Sequence, residues 1–314
     1  MTPVLEIQEL LEAIKSIRVL LFSVKRVSTV ISCFWKKVEH NSFILEMLVY
    51  EVRPSIDKDF DDFFSLVVED EGWIEKYNKG DILVKSKWTE ESRIKMIKVS
   101  SPINVSLECL YDVLHDPEYR KVWDKDMTDS YDVCKLNGNT VIGWYGAKMP
   151  PPLKYRDWSL YRTWRKDESE FMIFNHSVDH KLIPVRKNYV RSVSYLTGYF
   201  GEKLTANRCK LTFITQTDPK GKLPKWFINL LSTSMSPRIM KKLHKTALKY
   251  EKWKNEHNPE KKPWLTDGDN NLPLLNMHDV INHDPDEANT SDEIDETFIS
   301  PDSNISDGSD YDVI

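Results

Sequence analysis

Along the first forty residues apolar positions return at helical spacing. Leu10, Ile14, Ile17, Leu21, Val24, Ile31, Trp35 and Val38 form one stripe, with Ser28 its one polar interruption. That pattern predicts an amphipathic helix, and a length beyond about 25 residues predicts a kink or break within it. Phe60, Phe63, Phe64, Val67 and Val68 outline a second, short helix. The period then changes. Residues 82–88, 93–99, 141–148, 158–164, 171–178, 188–196 and 210–215 read as strands, separated by the turn signals Asn137–Gly138, Lys166–Asp167 and Asp218–Pro219. A helix is expected over 107–114, ending before Asp116–Pro117, and Gly198 and Gly201 suggest a bend. Helical spacing resumes near Leu223 or Pro224 with Trp226, Phe227, Leu230 and Leu231. Pro237 predicts a kink or break, and Ile239, Met240, Leu243, Ala247 and Tyr250 renew the stripe. Helices at both ends of a strand-rich middle predict an α+β fold with a largely antiparallel sheet. The last helix must bury its stripe, and the concave face of a curved sheet is the expected partner.

Composition divides the chain into three. Residues 1–52 are an N-terminal amphipathic helical extension, 53–265 the main domain, and 266–314 an acidic tail. The formal net charge is -5, but residues 265–314 hold 14 acidic and no basic side chains. The rest therefore carries 44 basic and 35 acidic groups, a net +9. An acidic, Asn- and Ser-rich tail with few apolar residues predicts disorder, with 272–275 able to dock locally. The first helix is basic through Lys15, Arg18, Lys25, Arg26, Lys36 and Lys37. It can pack on the domain, pair with a second copy, lie on an anionic membrane or remain a poorly ordered extension. No run reaches the roughly 18 apolar residues of a membrane span. The nearest, over 19–35, is broken by Lys25–Arg26, and Glu6, Glu9 and Glu12 upstream fit a secretory signal poorly.

The familiar catalytic patterns are missing. There is no phosphate-cradling glycine loop, nucleophile elbow or kinase motif set, so no enzyme and no cofactor are expected. Cys33, Cys109, Cys134 and Cys209 are too dispersed for a disulfide framework or a zinc site, and a reducing compartment is the simplest reading. His176 and His180, four apart without the HExxH pattern, predict one packed and one exposed ring, and no metal. Basic residues are spread thinly and no nucleic-acid motif accompanies them, which argues against nucleic acid.

The positive signals are aromatic. Trp144 and Tyr145 lie in one strand candidate, Trp158, Tyr161 and Trp164 in the next, and Tyr189, Arg191 and Tyr195 share parity in a third. Aromatic faces can surround a quaternary ammonium, although large aromatics in sheets are also ordinary core. Arg120 and Asp124, four apart just after Asp116–Pro117, can pair on one helical face. Such a fork either holds a phosphate or forms a structural salt bridge.

The segment LYDVLHDPEYRKVWD over 110–124 resembles the START lipid-transfer family, and within it the subgroup that carries phosphatidylcholine and phosphatidylethanolamine. PPLKYRD (151–157), NHSVDH (175–180), PVRK (184–187), VRSVS (190–194) with TGY (197–199), DPKGKLPKW (218–226) and KPWL (262–265) extend the resemblance over roughly 57–265. It implies a helix-grip fold: a curved antiparallel sheet wrapped around the long C-terminal helix, with an internal lipid tunnel. It implies lipid phosphate bound by Arg120 paired with Asp124, and a choline cage of Trp144, Trp158 and Tyr195. The implied function is intracellular transfer of one glycerophospholipid between membranes. A lipid sensor acting through a protein partner, or a carrier of sterol or ceramide, is the alternative within the same fold. The expected location is cytoplasmic with peripheral membrane contact. Arg238, Lys241, Lys242, Lys245 and Lys249 would make the last helix a gate that docks on anionic headgroups. Thr290 and Ser309, each followed by acidic residues, resemble sites for an acidic-directed kinase, and added phosphate would weaken membrane association.

Overall fold

Along residues 82–87 buried and half-buried positions alternate. That period turns successive side chains to opposite faces of one sheet. The computed structural model of the protein describes residues 49–89, 94–224, 235–265, 271–282 and 296. Helix α1 (Asp57–Val68) comes first. Strands β1 (Ile74–Lys79), β2 (Ile82–Lys87) and β3 (Met96–Ile103) follow, then α2 (Leu107–His115) and α3 (Pro117–Trp123). The chain continues through β4 (Met127–Asn137), β5 (Thr140–Ala147), β6 (Tyr155–Lys166), β7 (Glu170–Ser177), β8 (Tyr189–Arg191), β9 (Val193–Thr205) and β10 (Arg208–Asp218). The last α-helix among the described residues is α4 (Met235–Glu256), followed by short 3-10 turns at Pro263–Leu265 and Met277–Asp279. The helix expected from Leu10 to Val38 lies outside the described residues. The last helix was expected to open near Leu223 or Pro224, which are not helical, and 225–234 lie outside the described residues. Pro237 sits in the first described turn of α4, and no break appears between Met235 and Glu256.

The α+β arrangement with an antiparallel sheet and a C-terminal helix is present, but the wrapped sheet is not. The strands run in the linear order β1-β2-β3-β10-β9-β7-β6-β5-β4, with β8 paired to β6 alone. Closure would require the two edge strands to hydrogen-bond to each other. β1 and β4 do not, so the sheet is open. α4 does not lie at the centre of a wrap. It packs on β2, β3, α2 and α3, burying Met240, Leu243, Ala247 and Tyr250. All ladders are antiparallel except that between β6 and β8.

The sheet has two differently covered faces. The inner face meets α2, α3 and α4 in one core, where Val99, Leu110, Phe171, Leu211 and Phe213 join the helical residues. The outer face carries α1, whose Phe60 and Phe63 rings lie 5.2 and 5.3 Å from Phe174. Gly198 and Gly201, expected to mark a bend, lie inside β9. Each makes room for a ring. A Cβ on Gly198 would meet Phe63, and one on Gly201 would meet Phe171.

The acidic tail is tied to the domain at two places. Residues 271–282 follow the open edge at β4, where Lys135 N donates to Pro273 O and Leu275 N to Lys135 O. Val280 then bridges to His180, and Glu296 is buried. Backbone pairing with an open sheet edge holds this segment despite its polar composition. His176 and His180 are both buried rather than one being exposed. The first stacks on Tyr161 at 4.6 Å, and the second lies 3.8 Å from Cys134 Sγ. Among the described residues no cluster could hold a metal ion and no helix is long and apolar enough to cross a membrane.

Candidate functional site: an arginine pair on the inner face

Asp116 fixes the position of α3. Its Oδ1 caps the helix by accepting from Glu118 N at 2.9 Å and Tyr119 N at 3.0 Å. Its Oδ2 accepts from Tyr250 Oη at 3.1 Å and Lys254 Nζ at 2.8 Å on α4. Tyr119 Oη donates to Thr246 O at 2.8 Å. One short helix is thus pinned to a long one, and Arg120 comes one turn in from the cap.

Arg120 Nε donates to Asp124 Oδ2 at 3.0 Å, the i,i+4 pair expected from the sequence. Tyr145 Oη donates to the same oxygen at 3.1 Å. The guanidinium lies over the rings of Trp123 and Tyr145, 5.2 Å from each centroid. Burial by itself disfavours its charge. The Tyr145 hydroxyl and the Asp124 carboxylate more than offset that, so Arg120 stays protonated. Burial also raises the Tyr145 and Tyr199 hydroxyls above their ordinary value, keeping them neutral donors beside Arg120.

β6 supplies the neighbouring wall. Tyr145 pairs with Trp158 across the ladder and Val141 with Arg162. Arg156, Trp158, Leu160 and Arg162 therefore share the inner face with Tyr145. Arg162 donates through Nη2 to His115 Nδ1 at 2.7 Å and lies 5.3 Å over Trp164. Burial, with that guanidinium alongside, holds His115 neutral, well below its usual titration range. A row of polar side chains crosses the sheet from there. Arg162 pairs with Asn175, Asn175 with Thr197 and Thr197 with Thr215, and the Thr197 and Thr215 hydroxyls lie 2.9 Å apart.

Several buried polar atoms on this side have no hydrogen-bond partner among the described residues. They are Trp123 Nε1, Asp124 Oδ1, Trp158 Nε1, His115 Nε2 and Arg162 Nε. Buried polar groups are ordinarily paired. Four donors and one acceptor are thus left open near two arginines.

The expected aromatic cage does not assemble. Trp158 lies on the inner face with Tyr145, the two rings 5.9 Å apart. Trp144 is the strand neighbour of Tyr145 and so points to the outer face. There it is fully buried, donates to Asp157 Oδ2 at 2.8 Å, stacks on Tyr131 and has Arg186 3.8 Å above its ring. Its cation site is already filled by the protein. Tyr195 falls at an irregularity in the β9–β10 ladder, where Leu196 pairs with Gln216 but Ser194 with Thr217. The extra residue takes it out of register with the inner row. Sequence reading missed Tyr145, Tyr199, Arg162 and His115. Two-residue parity counted from Trp158 finds Arg162, whereas the other three need the tertiary fold.

On α4, Lys241, Lys245 and Lys249 are exposed on one face, with Arg238 and Lys242 partly covered. Lys242 Nζ lies 3.7 Å from Asp126 Oδ2. Thr290 and Ser309 lie outside the described residues.

Comparisons with known proteins converge. The START domain family profile matches residues 63–254. Mouse START domain-containing protein 10 is 36% identical over 257 residues, covering 79% of this chain and 85% of that protein. Mouse phosphatidylcholine transfer protein is 24% identical over 148 residues, 46% of this chain and 68% of its own. A crystal structure of human STARD10 superposes with a TM-score of 0.70 at 38% identity, covering 75% of this chain and 97% of that one. Human StAR-related lipid transfer protein 5, at 17% identity and a TM-score of 0.56 over 63% of this chain and 95% of its own, shares the fold.

Proposed function

This chain belongs to the START domain family, and we propose that it is a non-catalytic carrier of one glycerophospholipid, phosphatidylcholine or phosphatidylethanolamine, between membranes. The observation that carries this reading is the Arg120–Asp124–Tyr145 group with its open donors at Trp123 and Trp158. An arginine fork suits phosphate oxygens. Asp124 Oδ2, already accepting from Arg120 and Tyr145, keeps the fork oriented. A choline group rests on the Trp158 face by cation–π attraction. A primary ammonium donates instead to Asp124 Oδ1, which trimethylation would prevent. The two headgroups thus use different partners in one site.

Transfer follows from solvation. Each exposed methylene costs about 0.8 kcal/mol, so two acyl chains need an apolar surface throughout passage between bilayers. The inner face and α4 provide it, and α4 is the element that moves at the membrane. Its exposed Lys241, Lys245 and Lys249 meet anionic headgroups, in a cytoplasmic protein that binds membranes peripherally. Phosphate at Thr290 or Ser309, added by an acidic-directed kinase, weakens that contact by charge repulsion.

Vesicle-to-vesicle transfer of labelled phosphatidylcholine, phosphatidylethanolamine, cholesterol and ceramide tests the reading. Transfer of the first two at rates well above the others is expected. Movement of sterol or ceramide alone overturns it.

A further inference from the structure

Arg156 is the second residue of β6, on the inner face two residues before Trp158, and its side chain is wholly buried. Its nitrogens donate to three backbone carbonyls: Nε to Pro219 O at 3.0 Å, Nη1 to Lys154 O at 2.6 Å and Nη2 to Lys220 O at 3.2 Å. Carbonyls orient a guanidinium but do not neutralise it, and a buried, uncompensated charge is strongly unfavourable. Its one ion-pair partner among the described residues comes from 140 residues away. Arg156 Nη2 donates to Glu296 Oε2 at 2.7 Å.

Glu296 is held on every side. Its Oε1 accepts from Lys154 N at 2.8 Å, and its own N–H donates to Lys222 O at 2.8 Å. It is 3% exposed, and both carboxylate oxygens and the backbone amide are engaged. A solvated acidic tail gives no reason for one of its glutamates to be so enclosed. The walls are the start of β6 and the turn over 219–222, where Lys220 and Gly221 both take positive φ. Ser192 Oγ ties that turn to the sheet by donating to Pro219 O at 3.0 Å.

We infer that the Arg156 pocket is a carboxylate-binding site whose ligand is the chain's own tail, with Glu296 as the inserted side chain. The recognised chemistry is an acidic peptide: one carboxylate bridging a buried guanidinium and a backbone amide, with the peptide's own N–H on a carbonyl. The site is separate from Arg120 and does not depend on which lipid is carried. It has a mechanical consequence. The turn over 219–222 leads into the segment before α4, and Glu296 N anchors Lys222 within it, so the tail restrains that turn while its carboxylate is in place.

The test uses the full-length chain with Glu296→Ala and Glu296→Gln, followed by amide hydrogen exchange. The Lys154 amide donates directly to Glu296 Oε1. Its exchange should accelerate at least tenfold in Glu296→Ala and less in Glu296→Gln, which keeps an acceptor oxygen but not the charge. Amides of the β7–β9 ladder, such as Ile173 and Tyr199, should not change, which excludes general unfolding. Cleavage of the tail by a glutamate-specific protease should quicken in parallel. Unchanged Lys154 exchange in Glu296→Ala overturns the inference. So does wild-type protection that falls on dilution, because the ligand would then come from a second copy. Lipid recovered from the same samples reports separately on the carrier reading.

Discussion

Trp144 and Trp158 separate structure from binding at single-residue resolution. Both were expected beside a headgroup, yet they lie on opposite faces of the sheet. Trp144→Ala should destabilise the fold by about 3–5 kcal/mol, the usual cost of deleting a buried tryptophan side chain, and chemical denaturation measures it. Trp158→Ala, at a half-buried ring, should lower the denaturation midpoint clearly less. It should weaken retention of choline lipid by about tenfold, as a lost cation–π contact of 1–2 kcal/mol implies. The reverse outcome would place the headgroup on the outer face. Of the candidate site, the Arg120–Asp124 pair was legible because both partners sit within one helical turn. Trp158 was legible in identity only. The grouping with Trp144 and Tyr195 was not. A strand neighbour inverts the face of one, and a ladder irregularity re-aims the other. Tyr199 comes near Arg120 only through the ordering of β9 beside β7.

At the scale of elements, α3 depends on Asp116, which caps it and pins it to α4. Asp116→Asn keeps an oxygen for the cap but leaves Lys254 buried without its carboxylate. A loss of about 3–5 kcal/mol is expected from that uncompensated charge, read as a lower urea midpoint, with lipid retention falling as Arg120 loses its support. A variant as stable as wild type would show that the two helices are held by their apolar contacts alone. On α4, Lys241→Glu, Lys245→Glu and Lys249→Glu together should abolish flotation with anionic vesicles and leave binding to neutral vesicles unchanged. Unaltered flotation would move the membrane contact elsewhere. Most elements could be read from periodicity, namely α1, α2, α4 and most inner strands, although 188–196, read as one strand, is β8 and only the start of β9. β1 and β4 could not, because edge strands such as IEKYNK expose nearly every residue and so show no apolar alternation. The sheet's openness was equally illegible, since local period says nothing about whether the first and last strands meet.

For the whole molecule, buried neutral histidines couple stability to pH. Burial lowers His176 to about 4, below its unfolded value of about 6.5. The unfolded chain therefore binds the proton more readily between those values, and stability is lost as pH falls through that window. Between pH 7 and pH 5 this one group should remove about 2 kcal/mol, with His115 adding in the same direction. Urea midpoints at the two pH values check this, and His176→Phe, which keeps the stack on Tyr161, should show a shallower slope. An equal slope in that variant would assign the pH dependence to other groups. The central claim is that the protein holds a phospholipid by its phosphate at Arg120. Mass spectrometry of lipid extracted from purified wild-type protein and from folded Arg120→Ala measures this directly. The expected result is about one phosphatidylcholine or phosphatidylethanolamine per wild-type chain and a loss of at least tenfold in the variant. Equal phospholipid in both proteins, or sterol or ceramide alone in the wild type, would contradict it.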